Sequence, residues 1–147
     1  MLPANILIHD AKELVNAADL YDNPAYRNLR ECFGYKSIFI LSAGWGLVRG
    51  DTKIPTYNIT FSSAAEEDCR ITPSERAKHN SVLLDVGTCD ELHLFITKKY
   101  LEYWNLVFSK NTQTGKKVVL HWRKGQPYPK GNYSVVEHDC GRQSTNW

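Results

Sequence analysis

Four short apolar runs, at residues 5–8, 37–41, 92–96 and 118–122, alternate with segments that open like helices, and this alternation leaves the chain few architectures. Each run suits a strand and falls far below the ~20 residues of a membrane-crossing helix. The helix-opening signals between them are local and chemical. Asp10 stands as an N-cap with Glu13 three residues on. Asn23-Pro24 puts proline at a first helical position, and Gly34 supplies the stop. Thr72-Pro73-Ser74-Glu75 combines a capping box with such a proline and predicts a helix to about Val86, ended by Gly87. Thr97 precedes Tyr100, Leu101, Trp104, Val107 and Phe108, which fall on one helical face.

Segments 116–122 and 133–137 read as the last two strands. Together these elements predict an α/β fold, a single-domain three-layer sandwich over residues 1–147 with a mostly parallel sheet, an antiparallel strand being allowed at one edge. The run at 37–41 is uninterrupted by polar residues, as in parallel strands covered on both faces. Residues 42–71 read as a long loop with a short strand at 57–61, and loops of that length are commonly functional. The connection 124–132 holds no helix and suits an antiparallel return, which would put Arg123 and His138 at opposite edges. Ligands in such sheets bind beyond the carboxyl ends of parallel strands. That brings His9, Asp10, Ser42 and Thr97 to one crevice walled by residues 44–57.

Composition narrows the function classes. Of 147 residues, 42% are hydrophobic and 23% charged, which excludes a disordered or fibrous chain. The net charge of +2 permits contact with phosphates without arguing for it. Four Trp exceed what a small core readily holds, so one or two are expected at a pocket or interface. Cys32, Cys69, Cys89 and Cys140 are too widely spaced for a zinc or redox motif, and the segment at Met1 does not read as a secretory leader, so none is expected. Reduced thiols in a cytoplasmic protein are expected, with no metal, no cofactor and no membrane partner. His79, His93 and His121 read as packed or hydrogen-bonded rather than as ligands. Glu66-Glu67-Asp68 reads as a solvated surface run. No nucleophile elbow, phosphate loop or dinucleotide fingerprint is present.

Several fragments together resemble the YaaA family of peroxide-stress proteins and its smaller relatives in phage and mobile elements. Ile6-Leu7-Ile8-His9-Asp10-Ala11-Lys12 is similar to the family's opening strand and turn, and Ala18-x-Leu20-Tyr21 to a segment of the smaller relatives. Leu41-Ser42-Ala43-Gly44-Trp45-Gly46-Leu47-Val48 followed by Ile54-Pro55-x-Tyr57 is similar to its most specific segment, and Phe95-Ile96-Thr97-x-x-Tyr100 to a later one. The chain departs from the pattern at His9 and Asp10, where Ser and Pro are usual, at Trp45 for Tyr, and at Asn58 for a charged residue. It is also shorter than the full-length members, so their helical DNA-binding insert is not expected.

The resemblance implies a protein handling a nucleobase, nucleotide or nucleic acid, and for a catalytic member metal-independent cleavage of an N-glycosidic bond. On that reading Asp10 or Asp139 serves the attacking water and Asn58 reads the base edge. Trp45 and Tyr57 enclose the base, Lys12 and Arg49 hold phosphate, and Ser42 and Thr97 line the site. Each has a plainer alternative: Trp45 as a lid on the core, Tyr57-Asn58 as an edge strand, Lys12 as surface, His138-Asp139 as a solvated tail. The competing functional class is a non-catalytic module that sequesters a nucleotide signal or blocks a protein partner.

Overall fold

The capping signals form the helices they announce. In the computed structural model, which describes residues 13–21, 23–79, 89–108 and 116–139, helix α1 (Pro24–Phe33) starts where the Asn23 side chain accepts the Tyr26 N–H and stops where the Gly34 N–H reaches the Arg30 carbonyl. Gly34 takes φ 72°, a conformation in which only glycine is at ease. Helix α2 (Pro73–Lys78) has its complete capping box, with Thr72 and Glu75 each bonding the other's backbone N–H. It ends at His79 rather than near Val86; residues 80–88 lie outside the described residues. Thr97 occupies the N-cap of α3 (Lys98–Val107), although its side chain makes no capping bond.

The chain divides into two compact units, Met1–Val82 and Leu83–Trp147. In the first, β1 (Leu14–Asn16) pairs antiparallel with β4 (Lys53–Pro55), and β2 (Phe39–Ser42) forms an antiparallel hairpin with β3 (Gly46–Arg49). Three expectations are corrected here. A helix opening at Asp10 cannot run on, because Leu14–Asn16 is a strand. The apolar run at 37–41 is no doubly covered parallel strand but half of a hairpin, and only Ser42 of β2 is fully buried. The long loop contains β3 and β4, and the strand expected at 57–61 is reduced to isolated bridge positions at Tyr57 and Thr60, the latter paired with Arg70. Gly46, at φ 78°, provides the left-handed residue that closes a three-residue hairpin turn. The unit's core holds Ala17, Ala18, Ala43, Ile54, Ile59, Phe61 and Cys69.

The second unit carries the parallel sheet, in the order β5 (Glu91–Leu94), β6 (Lys117–Arg123), β7 (Ser134–His138). Its buried side chains are Leu94, Val118, Val119, Leu120 and Trp122 of the sheet with Leu101, Tyr103, Trp104 and Phe108 of the α3 segment. The antiparallel return from β6 to β7 is overturned: the strands are parallel, and Arg123 and His138 are register partners at the same end. The reason lies in Pro127 and Pro129. Proline fixes φ and keeps its predecessor extended. An extended chain covers about 3.3–3.6 Å per residue against about 1.5 Å in a helix, so residues 124–133 can climb back beside the sheet without one. The Trp122 ring meets Tyr128 edge-on at 6.2 Å and its indole N–H donates to the Gln126 carbonyl at 3.1 Å, seating the return. Among the described strands the parallel pairs are those of β5–β7, with one isolated parallel bridge, Thr60–Arg70, in the first unit, within a mixed α/β chain whose described strands form three separate sheets. Among the described residues no helix is long and apolar enough to cross a membrane.

Candidate functional site

Ser42 ends β2 and is fully buried, so its hydroxyl must be satisfied by protein. Its oxygen accepts the backbone N–H groups of Gly44 (3.1 Å) and Trp45 (3.0 Å) across the hairpin turn. A serine hydroxyl has two acceptor positions and one proton. With both acceptors used, the Ser42 proton goes to the Tyr57 hydroxyl, and Tyr57 in turn bonds Tyr21. The Ser42–Tyr57 bond therefore runs from Ser42 to Tyr57.

The Tyr57 ring lies flat against the chain at Gly44. A Cβ at Gly44 would stand 2.9 Å from two Tyr57 ring carbons, closer than such contacts allow. Glycine at this position is a steric requirement of the ring. Burial pushes the Tyr57 phenol up, and its bonds to Ser42 and Tyr21 and the nearby Arg76 charge offset this only in part. Tyr57 is consequently a neutral phenol at neutral pH, a hydrogen-bonding group rather than an ionised base.

Arg76 was not singled out from the sequence. Pro73 and Arg76 lie three residues apart on α2 and share its buried face. Arg76 is 4% exposed, and its Nε and Nη1 find no hydrogen-bond partner among the described residues. The Trp45 indole nitrogen is likewise buried and unpartnered. A buried cation without its bonds costs several kcal/mol, on the order of what a paired anion would restore. The only sequence signal was a charged residue three positions after the buried N1 proline, and solvated helix faces show the same spacing.

The stretch between Tyr57 and α2 is stitched by backbone bonds, Thr60 N–H to the Cys69 carbonyl at 2.9 Å and Ile71 N–H to the Thr60 carbonyl at 3.1 Å. On the other side Asp19 ties the turn before Tyr21 to α1 and beyond, accepting from Asn16 (2.9 Å) and Tyr35 (2.7 Å) and facing Arg30 at 3.5 Å. Burial raises the Asp19 carboxyl, but those two bonds and the Arg30 charge outweigh it and hold it below the ordinary range.

Of the residues expected to form the site, Ser42, Trp45 and Tyr57 come together in this unit. Arg49 stands at the far end of the hairpin, opposite Phe39, and its guanidinium grips Asp51 through Nε (2.6 Å) and Nη2 (3.1 Å). The exposed Asn58 side chain donates to the Cys69 sulfur at 2.9 Å. Thr97 and Asp139 are exposed residues of the second unit. Asp10 and Lys12 lie outside the described residues. Among the described residues no group of three or more His, Cys, Asp or Glu side chains is placed to hold a metal ion. No protein-family model matches the chain, and no curated protein or solved structure is detectably similar to it.

Proposed function

We propose that the first unit binds a nucleotide or nucleic acid, with a phosphate oxygen drawn to Arg76 and the base held by Trp45 and Tyr57. The observation that carries this reading is the buried guanidinium with two unpartnered nitrogens in electrostatic reach of Tyr57. A planar guanidinium fork suits the oxygens of a phosphate or carboxylate. The Tyr57 ring in electrostatic reach of the guanidinium, and the unpartnered Trp45 indole on the turn bonded to Ser42, favour a ligand that joins a flat heterocycle to an anion, and base stacking on aromatic side chains is tolerant of sequence. Ser42 serves by orienting the Tyr57 hydroxyl, not by attacking a substrate, since its proton and both acceptor positions are engaged.

Cleavage of an N-glycosidic bond is the finer form of this proposal. Calorimetric titration of the full chain with nucleoside monophosphates, the matching nucleosides and short single-stranded oligonucleotides tests the binding. Phosphate-bearing ligands should bind and nucleosides should bind far more weakly. Equal affinity for a nucleoside and its phosphate, or no binding of either at millimolar concentration, would sink the assignment. Chromatography of the same mixtures for released base tests the cleavage.

A further inference from the structure

His93, His121 and His138, one on each strand of the parallel sheet, form a continuous line of imidazoles. His93 Nδ1 is 2.8 Å from His121 Nε2, and His121 Nδ1 is 2.8 Å from His138 Nε2. The ring centres are 5.1 Å apart in both pairs, with planes inclined by 28° and 26°. Two five-membered rings at that centre separation reach a 2.8 Å nitrogen contact only when the nitrogens lie on the line joining the centres. The rings are therefore end to end, with nitrogens aimed at one another and at no common point a metal could occupy. Strand register explains the line: His93 pairs with Val119, His121 with Val136 and Arg123 with His138, so each step moves one strand across and two residues along. Phe95 stacks on the face of His121 at 4.2 Å and 13°.

Glu91 decides the direction of every bond. Its carboxyl is held below the ordinary range by hydrogen bonds from Lys117 (2.8 Å) and His93 (3.2 Å), so it is an acceptor. His93 Nε2 must then carry a proton, which makes His93 Nδ1 the acceptor in the neutral ring. His121 Nε2 must donate to it, and by the same step His138 Nε2 donates to His121 Nδ1. One tautomer satisfies all three bonds.

We propose that Glu91, His93, His121 and His138 form an acid–base site of the second unit, a proton relay that carries one proton across the sheet from the end of β7 to the start of β5. A proton reaching His138 Nδ1 from hydronium or a buffer acid releases the His138 Nε2 proton to His121 Nδ1. His121 passes its Nε2 proton to His93 Nδ1, and the charge comes to rest on His93 beside the Glu91 carboxylate. Each ring gains one N–H bond, and His138 and His121 each lose one. Lys117 and Arg123 of β6 share this face with Glu91 and the three rings, while Ser134 and Val136 of β7 add no charge. Burial, then charge on His138 and on His93, lowers the middle ring, His121, which keeps it a neutral carrier.

Nitrogen-15 NMR of the histidine side chains in the full chain, from pH 8.5 to 5.5, tests the relay. The expected result at high pH is the Nε2–H tautomer on all three rings, with through-hydrogen-bond couplings between His93 and His121 and between His121 and His138. The first proton taken up on acidification should shift the nitrogen signals of all three rings together, because it moves an N–H in each. In His121→Phe both couplings vanish. In Glu91→Gln, an exposed change that leaves the sheet intact, the first protonation moves to lower pH. An Nδ1–H tautomer on any ring at high pH, absent couplings, or a first protonation that shifts one ring alone would overturn the proposal.

Discussion

Both units hold a line of three polar side chains, and the two lines answer to different controls. In the first unit Ser42, Tyr57 and Tyr21 are linked hydroxyls, and two backbone N–H groups of a hairpin turn impose the direction of the Ser42–Tyr57 bond. In the second the members are imidazoles whose direction is imposed by a carboxylate. A hydroxyl line near neutral pH has no proton to gain or lose, so its polarity is a fixed consequence of the fold. An imidazole line changes charge near neutrality, so its polarity depends on the solution. The hydroxyl line therefore suits holding a ligand in one orientation, and the imidazole line suits moving a proton. Beside the first stands an unsatisfied cation, Arg76, while the second carries its own counter-charge in Glu91.

The largest expected effect breaks that contrast at Arg76. Arg76→Met should weaken nucleotide binding roughly 10- to 100-fold, the loss expected of hydrogen bonds to a charged group. The same change should stabilise the ligand-free protein by about 1–3 kcal/mol, because a buried cation without its bonds is replaced by an apolar chain of similar volume. Opposite signs in a binding titration and a urea melt are the signature, and destabilisation together with unchanged binding would remove the anion site.

Next come the hydroxyls. Ser42→Ala strips two backbone N–H groups of their acceptor and should cost about 2–3 kcal/mol, whereas Tyr57→Phe should cost about 1 kcal/mol. Equilibrium unfolding that ranks them the other way would contradict the direction derived for the Ser42–Tyr57 bond. Gly44→Ala sets a methyl against the Tyr57 ring and should cost about 1–2 kcal/mol through overpacking. Its tyrosine fluorescence should change, since the ring must move.

The smallest effect distinguishes the two lines by pH. His121 has a folded-state pKa below its unfolded value near 6.5, so the unfolded chain binds more protons there. Its contribution to stability is complete above that value and is lost as pH falls from there through the lower folded-state pKa. Thermal melts should show a small decrease from pH 7.5 to 5.5 that His121→Phe flattens, while Ser42→Ala lowers the melting temperature equally at both ends.

The features legible in the sequence were those whose partners lie within a few residues. Asn23-Pro24 with Gly34, and Thr72-Pro73 with Glu75, gave their helices directly, because a cap closes bonds within one turn. The turn Ser42–Gly44–Trp45 with Tyr57 was marked as a site by its glycines and aromatics, and the structure joins it. Strand pairing was not legible. Leu14 opposite Pro55 and Phe39 opposite Arg49 are chosen by packing between segments that carry no local mark of each other. The parallel return to β7 was misread because length alone suggested a turn, when the prolines made the same length an extended climb. Arg76 and the histidine line were hidden for a related reason. A lone arginine on a short helix and three scattered histidines acquire chemistry only when burial removes water from one and register brings the others end to end. Capping and turn chemistry belong to the sequence because they act over one turn of chain; desolvation and alignment belong to the tertiary structure because they act between segments.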